Sequence, residues 1–469
     1  MKWIHHSLAV IAAITAIGAH ATEQTGATGA GVDAPVAATF QVGPVVITPG
    51  GFIELTEIYR SRNETADLAS TYSGAPFPSN NNYYSSEYRA TSRNTRLSLL
   101  ADGPFDALDR VQGYVETDFV SAGITSNNNE SDSYTLRLRQ LWLGWARPAQ
   151  GWAITAGQAW SLATLYTNGL APRKEDIPFG NDGQYHTGFN WTRQPQFRFV
   201  KTFTPAIAVG FSVESAQDVL KGEAPVGSTA TNPGGSTYNS TASYSTDVAP
   251  DVIVKLALDP AFGHFELYSL TRFLHERAPS VPGVLTTERN HTTTAESIGA
   301  GLIVPLWPDH LDVHATTLAG HGNGRYGSAQ LGDATYDPKD GSISALHQVD
   351  VLLGLVGHVT PAFDLYAYAG MEQQRAAYGL VPADNTACDT PYAFQSTLPS
   401  NAGCGGVGTV RQVSGGFLWK FYRGRLGYLA GGPEIEYVKD TTYTAKDGTS
   451  GHTNDTMVYL TVRYYPFQK

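Results

Sequence analysis

The sequence contains several residue pairs and motifs of kinds that carry out chemistry. Glu116/Asp118 and Glu434/Glu436 are carboxylate pairs of the type that glycoside hydrolases use. Residues i and i+2 of a strand share one face, so such pairs also arise on any polar strand face. Residues 322–327 fit the pattern G-x-G-x-x-G, but no helix pattern follows them and the chain has no βαβ unit. We therefore expect neither catalysis nor dinucleotide binding.

The sequence also lacks the motifs typical of metal sites and of catalytic nucleophiles. His264, His314, His347 and His358 are scattered without H-x-x-x-H spacing, and no G-x-S-x-G motif occurs. Two cysteines and three methionines argue against a disulfide framework and against a multi-ligand zinc domain. The sequence predicts no enzyme, no cofactor and no metal site.

The composition is typical of a large β-protein. Charged residues make up 16% of the 469 residues, against about 25% in an average soluble domain. Glycine (49), proline (26) and tyrosine (25) are abundant, which favours strands and turns over helices. The net charge of −11 argues against a nucleic-acid partner, which would require a basic surface.

The N-terminus resembles an export signal. Residues 1–21 contain an early lysine, a short apolar stretch and an A-x-A cleavage site, which is the layout of a secretory signal peptide. Residues 22–45 form a short segment rich in Gly, Ala and Thr, and residues 46–469 form the main domain. No other segment approaches 18 consecutive apolar residues, so we expect no membrane helix. A closed β-barrel would still span a membrane.

Period-2 alternation of apolar and polar residues predicts about sixteen strands. The gaps after even-numbered strands are short, whereas those after odd-numbered strands are long and rich in Asn, Ser, Thr and Gly. This alternation predicts an outer-membrane barrel with short periplasmic turns and long external loops. The predicted strands are 46–60, 91–100, 110–120, 134–147, 151–160, 195–203, 207–215, 250–258, 263–273, 294–304, 310–320, 347–358, 363–375, 409–421, 424–438 and 456–467.

The two faces of the strands and the tryptophans agree with this fold. In 250–258, Val252 and Val254 share one parity and Asp251 and Lys255 the other, so one face suits lipid and the other water. One strand is ambiguous, because in 134–147 Leu136 and Leu138 share one face and Trp145 lies on the other, and a bulge there would redirect one arginine. Tryptophans lie in or near the short turns, as an aromatic belt at a membrane interface requires: Trp145, Trp152, Trp307 and Trp419.

Four successive motifs resemble the DcaP-like porins. They are R-x-x-R-L at 93–97, Y-x-E-x-D-F at 114–119, R-L-R at 137–139 and G-Q-x-W-S at 157–161. The resemblance covers residues 93–203, and that family's periplasmic coiled-coil segment is missing here. It implies a trimeric general-porin barrel in the bacterial outer membrane, in contact with lipid and lipopolysaccharide. It also implies passage of small hydrophilic solutes, small organic anions in particular.

The long gap 161–194 should, by similarity to porins, fold inward as the third loop and narrow the channel. Its carboxylates would face arginines from strands two, four and six, which produces a transverse field and favours anions. Alternatively, the arginines pair with Glu116 and Asp118 in a structural network, and both arrangements can hold together. The predicted constriction residues are Arg96, Arg137, Arg139, Arg198, Glu116, Asp118, Glu175, Asp176 and Asp182.

Cys388 and Cys404 lie in the long gap 376–408, and in an oxidising compartment we expect them to form a disulfide that pins this external loop. Two other functions remain open. An outer-membrane barrel enzyme or adhesin would have a lumen filled by side chains or a plug. A secreted soluble β-protein that binds glycans would hide its aliphatic face against a second sheet.

Overall fold

The computed structural model describes residues 39–121, 123, 132, 134–222, 231–234, 242–278, 289–337, 342–377, 380–389 and 404–467. The predicted signal peptide, residues 1–21, and most of the segment 22–45 lie outside the described residues. Within the described ranges, no helix is both long and apolar enough to cross a membrane.

Nearly all regular structure is β-strand. Four short 3-10 helices occur in the described residues, at Tyr72–Gly74, Asn81–Tyr84, Pro148–Gln150 and Gly324–Tyr326. The strands of the described residues are β1 (Phe40–Val42), β2 (Val45–Arg60), β3 (Glu87–Thr91), β4 (Arg96–Pro104), β5 (Arg110–Asp118), β6 (Arg137–Arg147), β7 (Trp152–Trp160), β8 (Arg193–Thr204), β9 (Ile207–Glu214), β10 (Leu220–Lys221), β11 (Thr231–Gly234), β12 (Ala242–Ser245), β13 (Asp251–Leu258), β14 (His264–Ala278), β15 (Arg289–Trp307), β16 (Leu311–His321), β17 (Ala334–Tyr336), β18 (Ile343–Ala345), β19 (His347–Thr360), β20 (Phe363–Gln374), β21 (Val407–Gly424), β22 (Gly427–Thr442) and β23 (His452–Tyr465).

Antiparallel pairing closes most of these strands into one barrel. β2 pairs with β23 from Ile53↔Tyr464 to Arg60↔Met457, which joins the first wall strand to the last. β1 pairs only with the first residues of β2 and adds no separate wall strand. β4 pairs with the first half of β2 and β3 with its second half, so β3 and β4 act as one interrupted strand. Sixteen strands therefore cross the wall in the described part of the chain. The predicted antiparallel barrel is confirmed.

The sixteen predicted strands are all present, with shifted ends. The predicted strand 91–100 is divided into β3 and β4, and the predicted strand 294–304 is longer, from Arg289 to Trp307. The described end of the segment 22–45 contains β1 and the first residue of β2, so it is already part of the sheet. Connections of two to five residues lie at one end of the barrel, here called the short-turn end, and the long loops lie at the other.

The wall strands turn apolar side chains outward and polar ones inward. On β13, Val254 is 46% exposed on the outer surface, whereas Asp251 and Lys255 are buried inside. On β19, Leu353 and Leu355 are half-exposed outside. Strands with this alternation present a continuous aliphatic surface around the barrel, of the kind that contacts lipid.

The short-turn end carries aromatic side chains on its outer surface. The rings of Trp145 and Trp152 are 5.4 Å apart between centroids, and Trp307 is largely exposed. Phe262 and Phe265 form a similar edge-to-face pair with centroids 5.5 Å apart. Such rings suit the boundary between apolar and aqueous surroundings.

Loops fill much of the interior. Residues 161–192, here called the crossing loop, leave β7, traverse the barrel and return to β8. Loop residues Leu162, Tyr166 and Leu170 pack in an apolar cluster with Ile253 and wall residues around it. The prediction that the inner face of the strands contacts water is therefore correct only in part, because the inward loops make apolar contacts with that face. Two further clusters centre on Trp160, Tyr185, Phe189, Leu352, Val356, Tyr366 and Tyr368, and on Leu68, Tyr72, Leu331, Val438, Met457 and Tyr459.

Candidate functional site

Inward carboxylates of the wall hold the crossing loop in place. Glu214 on β9 accepts a hydrogen bond from the backbone N–H of Leu162 at 2.9 Å. Glu266 on β14 accepts from the N–H of Tyr166 at 3.1 Å.

Farther along the loop, Glu372 on β20 accepts from the N–H of Gly188 at 2.8 Å. Glu434 on β22 accepts from the N–H of Asn181. Buried backbone donors need acceptors, and charged acceptors give the stronger hydrogen bonds. The loop is thus attached to four wall strands.

An ion-pair network lies where β5 and β6 face the loop. The buried Arg139 side chain donates from Nε to Glu116 at 2.6 Å and from Nη1 to Asp118 at 2.9 Å. Arg137 contacts both Asp118 oxygens, at 2.9 Å and 2.6 Å. The remaining Nη2 of Arg139 donates to the phenol of Tyr185 at 3.1 Å. The alternative that the sequence allowed, in which arginines pair with Glu116 and Asp118, is therefore present in the structure.

The predicted bulge in β6 explains this arrangement. Asp118 pairs with Arg137 in the strand register, whereas Glu116 pairs with Gln140, so Arg139 is the extra residue. Arg139 and Gln140 consequently both point inward and are buried. Arg137 and Arg139 share one face as residues i and i+2, and the bulge after them leaves Leu138 and Leu141 both exposed on the outer surface although they differ in parity.

Three further arginines have no carboxylate partner within hydrogen-bonding distance among the described residues. Arg96 on β4 lies 5.2 Å from the ring centroid of Phe52, and its Nε is buried without a hydrogen-bond partner. Arg173 in the crossing loop lies 5.0 Å from the Tyr114 ring. Cation–π contacts orient such groups but leave their charge unneutralised.

Arg193, at the start of β8, is the third unpaired cation. Its guanidinium lies 4.7 Å from the Trp160 ring and 4.9 Å from the Trp191 ring, and it donates to Tyr185 Oη at 3.3 Å. Arg173 and Arg193 were not in the predicted set. Arg193 has the parity of the outward Phe197, so alternation alone places it on the wrong face. No sequence signal identified it.

Arg96, Arg139 and Arg193 surround the phenol of Tyr185. Burial alone would raise its pKa, but the guanidinium groups of Arg139, Arg193 and Arg96 outweigh burial and lower the pKa of Tyr185 to about 7. The site therefore contains a phenol whose charge changes near neutral pH.

A cavity of about 260 Å³ lies beside this cluster, between loop residues 177–185 and strands β2, β4, β21 and β23. Arg96, Tyr185 and Arg463 line it together with Phe52. Arg463 is paired with Glu54, whereas Arg96 has no such partner in the described residues. We call this cavity, with the arginines beside it, the passage.

Asp176 and Asp182 of the loop accept hydrogen bonds from donors other than the predicted arginines. Asp176 accepts a hydrogen bond from His314 Nδ1 on β16 at 2.7 Å. Asp182 lines the cavity but accepts from Tyr459 Oη at 2.5 Å and from the N–H of Gln184 at 2.6 Å. Burial raises the pKa of Asp182. Wall and loop donors bind both carboxylates, and of the two, Asp182 also lines the cavity with Arg96 and Arg463.

Arg198 and Glu175 lie elsewhere under the loop. Arg198 is fully buried and donates to Gln196 Oε1 at 3.0 Å, to the Tyr166 phenol and to the Trp160 carbonyl. Desolvation raises the pKa of Glu175 to about 7, against the opposing effect of Arg198. Of the nine predicted residues, the structure thus groups six in or beside the passage: Arg96, Arg137, Arg139, Glu116, Asp118 and Asp182.

The two cysteines are joined in the long loop between β20 and β21. The Cα atoms of Cys388 and Cys404 are 5.0 Å apart across the disulfide. The carbonyl of Cys388 accepts a hydrogen bond from the N–H of Ser79 at 3.1 Å, which ties this loop to the loop after β2.

Comparison with known proteins identifies the fold. No protein-family model matches the chain, and no curated protein sequence matches it. The crystal structure of the outer membrane channel DcaP of Acinetobacter baumannii matches with a TM-score of 0.63 at 20% identity, over 91% of this chain and 99% of that one. The anion-selective porin from Comamonas acidovorans matches at 0.48 and 11% identity, over 90% and 99%. The outer membrane protein OmpT of Vibrio cholerae matches at 0.49 and 12%, over 92% and 100%. The expected DcaP-like barrel is confirmed for the fold.

Proposed function

We propose that this chain is a porin, a passive diffusion channel for small hydrophilic solutes in a bacterial outer membrane. The main support is a closed sixteen-strand wall, aliphatic outside, that encloses an arginine-lined cavity beside an inward loop. A barrel of this size is too wide for wall side chains alone to fill. Transport then needs no cofactor and no energy source, and we propose no catalytic role.

We further propose a preference for small organic anions. Arg96, Arg173 and Arg193 supply positive charge and have no carboxylate within hydrogen-bonding distance in the described residues. A constriction selects ions by its local charge, and the net charge of the whole chain matters less. The acidic total of −11 is therefore compatible with an anion-favouring passage.

The assembly we propose is a homotrimer surrounded by outer-membrane lipid and lipopolysaccharide. It rests on the sequence resemblance to DcaP-like porins and on the aliphatic outer face. The disulfide and the signal-like N-terminus agree with export.

A second candidate is a closed barrel that serves as an enzyme or adhesin. Apolar clusters inside the barrel favour it, because they occupy space that an open channel would leave to water. A soluble glycan-binding protein is less compatible with the structure, since half-exposed leucines on the wall are not covered by a second sheet within the described residues.

Single-channel recording in a planar lipid bilayer separates these functions. The porin proposal predicts stepwise conductance with three equal closing steps for each insertion event. Barrels that insert into the bilayer without conducting ions would support the closed barrel that serves as an enzyme or adhesin. A single closing step for each insertion event would contradict the trimer. A mature chain that stays monodisperse in buffer without detergent would contradict a membrane location.

A further inference from the structure

A second polar cluster lies where the crossing loop meets β22. His186 of the loop faces Glu434 and Glu436, which are inward residues i and i+2 of β22. All three are buried, and one ligand atom from each lies within 4.8 Å of the others. His186 Nδ1 is 3.8 Å from Glu436 Oε1, and Nε2 is 3.8 Å from Glu434 Oε1.

The carboxylates are under-satisfied in this position. Neither oxygen of Glu436 has a hydrogen-bond partner in the described part of the chain, and Oε1 of Glu434 has none either. The neighbouring cations are engaged elsewhere, since Arg463 pairs with Glu54 and Arg60 with Glu87. Buried carboxylates without partners are costly, and a bound cation or a proton relieves that cost.

The imidazole is oriented as a metal ligand is. His186 Nε2 donates to the carbonyl of Phe179 at 2.7 Å, which leaves the lone pair on Nδ1 directed toward Glu436 and Ser414. The ring stacks on Tyr368 with centroids 4.4 Å apart. A carbonyl acceptor on the second ring nitrogen is the usual support of a ligating histidine.

We propose that His186, Glu434 and Glu436 bind one divalent transition-metal cation, best matched by Zn²⁺, which fastens the crossing loop to β22. One imidazole nitrogen and two carboxylates are a ligand set that zinc accepts, with Ser414 Oγ or water as a fourth ligand. Tetrahedral ligands at about 2.1 Å from zinc are about 3.4 Å apart, so shifts of about 1 Å close the site.

Gly180 lies between the cavity and the proposed metal site, so a substitution there can test the site. It lines the 260 Å³ cavity, so the cavity adjoins the cluster. A Cβ at this position would lie 3.2 Å from His186 Nε2 and 3.4 Å from Glu434 Oε1. Gly180→Ala should therefore crowd the site without removing a ligand.

The test is zinc binding by the purified full chain in detergent. Protein stripped with EDTA is titrated with ZnCl₂, and bound zinc is measured by mass spectrometry of the metal. Wild type should bind one zinc per chain, and Glu436→Gln should bind at least about 10-fold more weakly. Zinc should also raise the unfolding temperature of wild type and leave that of Glu436→Gln unchanged.

His358→Gln is the matched control. His358 also faces two carboxylates, Asp364 at 2.7 Å and Asp312 at 3.3 Å, but it lies half-exposed outside the crossing-loop cluster. Its loss should leave the zinc affinity of the proposed site unchanged. If Glu436→Gln fails to fold, Gly180→Ala decides the question by weakened binding.

Wild type that binds no zinc, or that binds it no better than Glu436→Gln or Gly180→Ala, would overturn the proposal and indicate protonated carboxylates instead. No bilayer measurement enters this test. Its failure is therefore distinct from a failure of the proposed channel function.

Discussion

Arg139 on the barrel wall donates a 3.1 Å hydrogen bond from Nη2 to the phenol oxygen of Tyr185 on the crossing loop. The same guanidinium is bound to Glu116 and Asp118 on the neighbouring strand. The contact joins the ion-pair network of the wall to the loop that borders the passage. Changes at either residue should alter both the charge in the passage and the attachment of the loop.

Tyr185 should titrate near neutral pH, unlike ordinary tyrosines. Its pKa of about 7 is below the usual value of about 10, so raising the pH through 7 converts it to phenolate. The expected result is an absorbance rise near 295 nm that wild type shows and Tyr185→Phe lacks. Because the phenolate adds negative charge beside Arg139 and Arg193, anion preference should fall over the same pH range. A wild-type titration identical to that of Tyr185→Phe would contradict the assignment.

Removing the unpaired cations should weaken anion preference. A unit charge about 4 Å from a permeating ion contributes about 1 kcal/mol in water, which is about a five-fold change in local anion concentration. Arg96→Gln and Arg193→Gln should each shift the reversal potential toward cation permeability in a salt gradient.

Arg110→Gln is the control for these variants, because Arg110 is exposed at the short-turn end and paired with Asp102. It should leave the reversal potential close to that of wild type. Equal reversal potentials for wild type, Arg96→Gln and Arg193→Gln would exclude these arginines from the selective region.

Asp118→Asn should destabilise the chain. Asp118 is buried and accepts hydrogen bonds from both Arg137 and Arg139, so its neutralisation leaves the buried Arg139 with one charged partner. Breaking a buried ion pair from one side costs about 3–5 kcal/mol, and retention of Glu116 places the expected loss at or below the lower end. Urea unfolding in detergent micelles measures it.

Asp102→Asn provides the comparison, since Asp102 pairs with Arg110 at the exposed turn, where a salt bridge contributes about 0–1 kcal/mol. Similar losses of unfolding free energy in the two variants would contradict a special role for the buried network.

The wall of the barrel was predictable from the sequence, whereas the contents of the lumen were not. The alternation of apolar and polar residues along strands such as β13 predicts which side chains face outward. The alternating loop lengths predict which connections lie at the same end of the barrel. The opposed parity of Leu138 and Trp145 predicted a bulge in β6, which the structure places at Arg139. The partners of Asp176 and Asp182 are 138 and 277 residues away in the chain, at His314 and Tyr459. No local pattern specifies such contacts, so the sequence did not reveal the donors that these two carboxylates bind.

The crossing loop also has an implication for the order of assembly. Its acceptors Glu214, Glu266, Glu372 and Glu434 lie 52, 100, 184 and 253 residues beyond the backbone donors they receive. Each of these contacts can form only when the strand that carries its acceptor is in place. The narrow part of the lumen therefore takes its final shape only after strands from both halves of the chain have joined the cylinder.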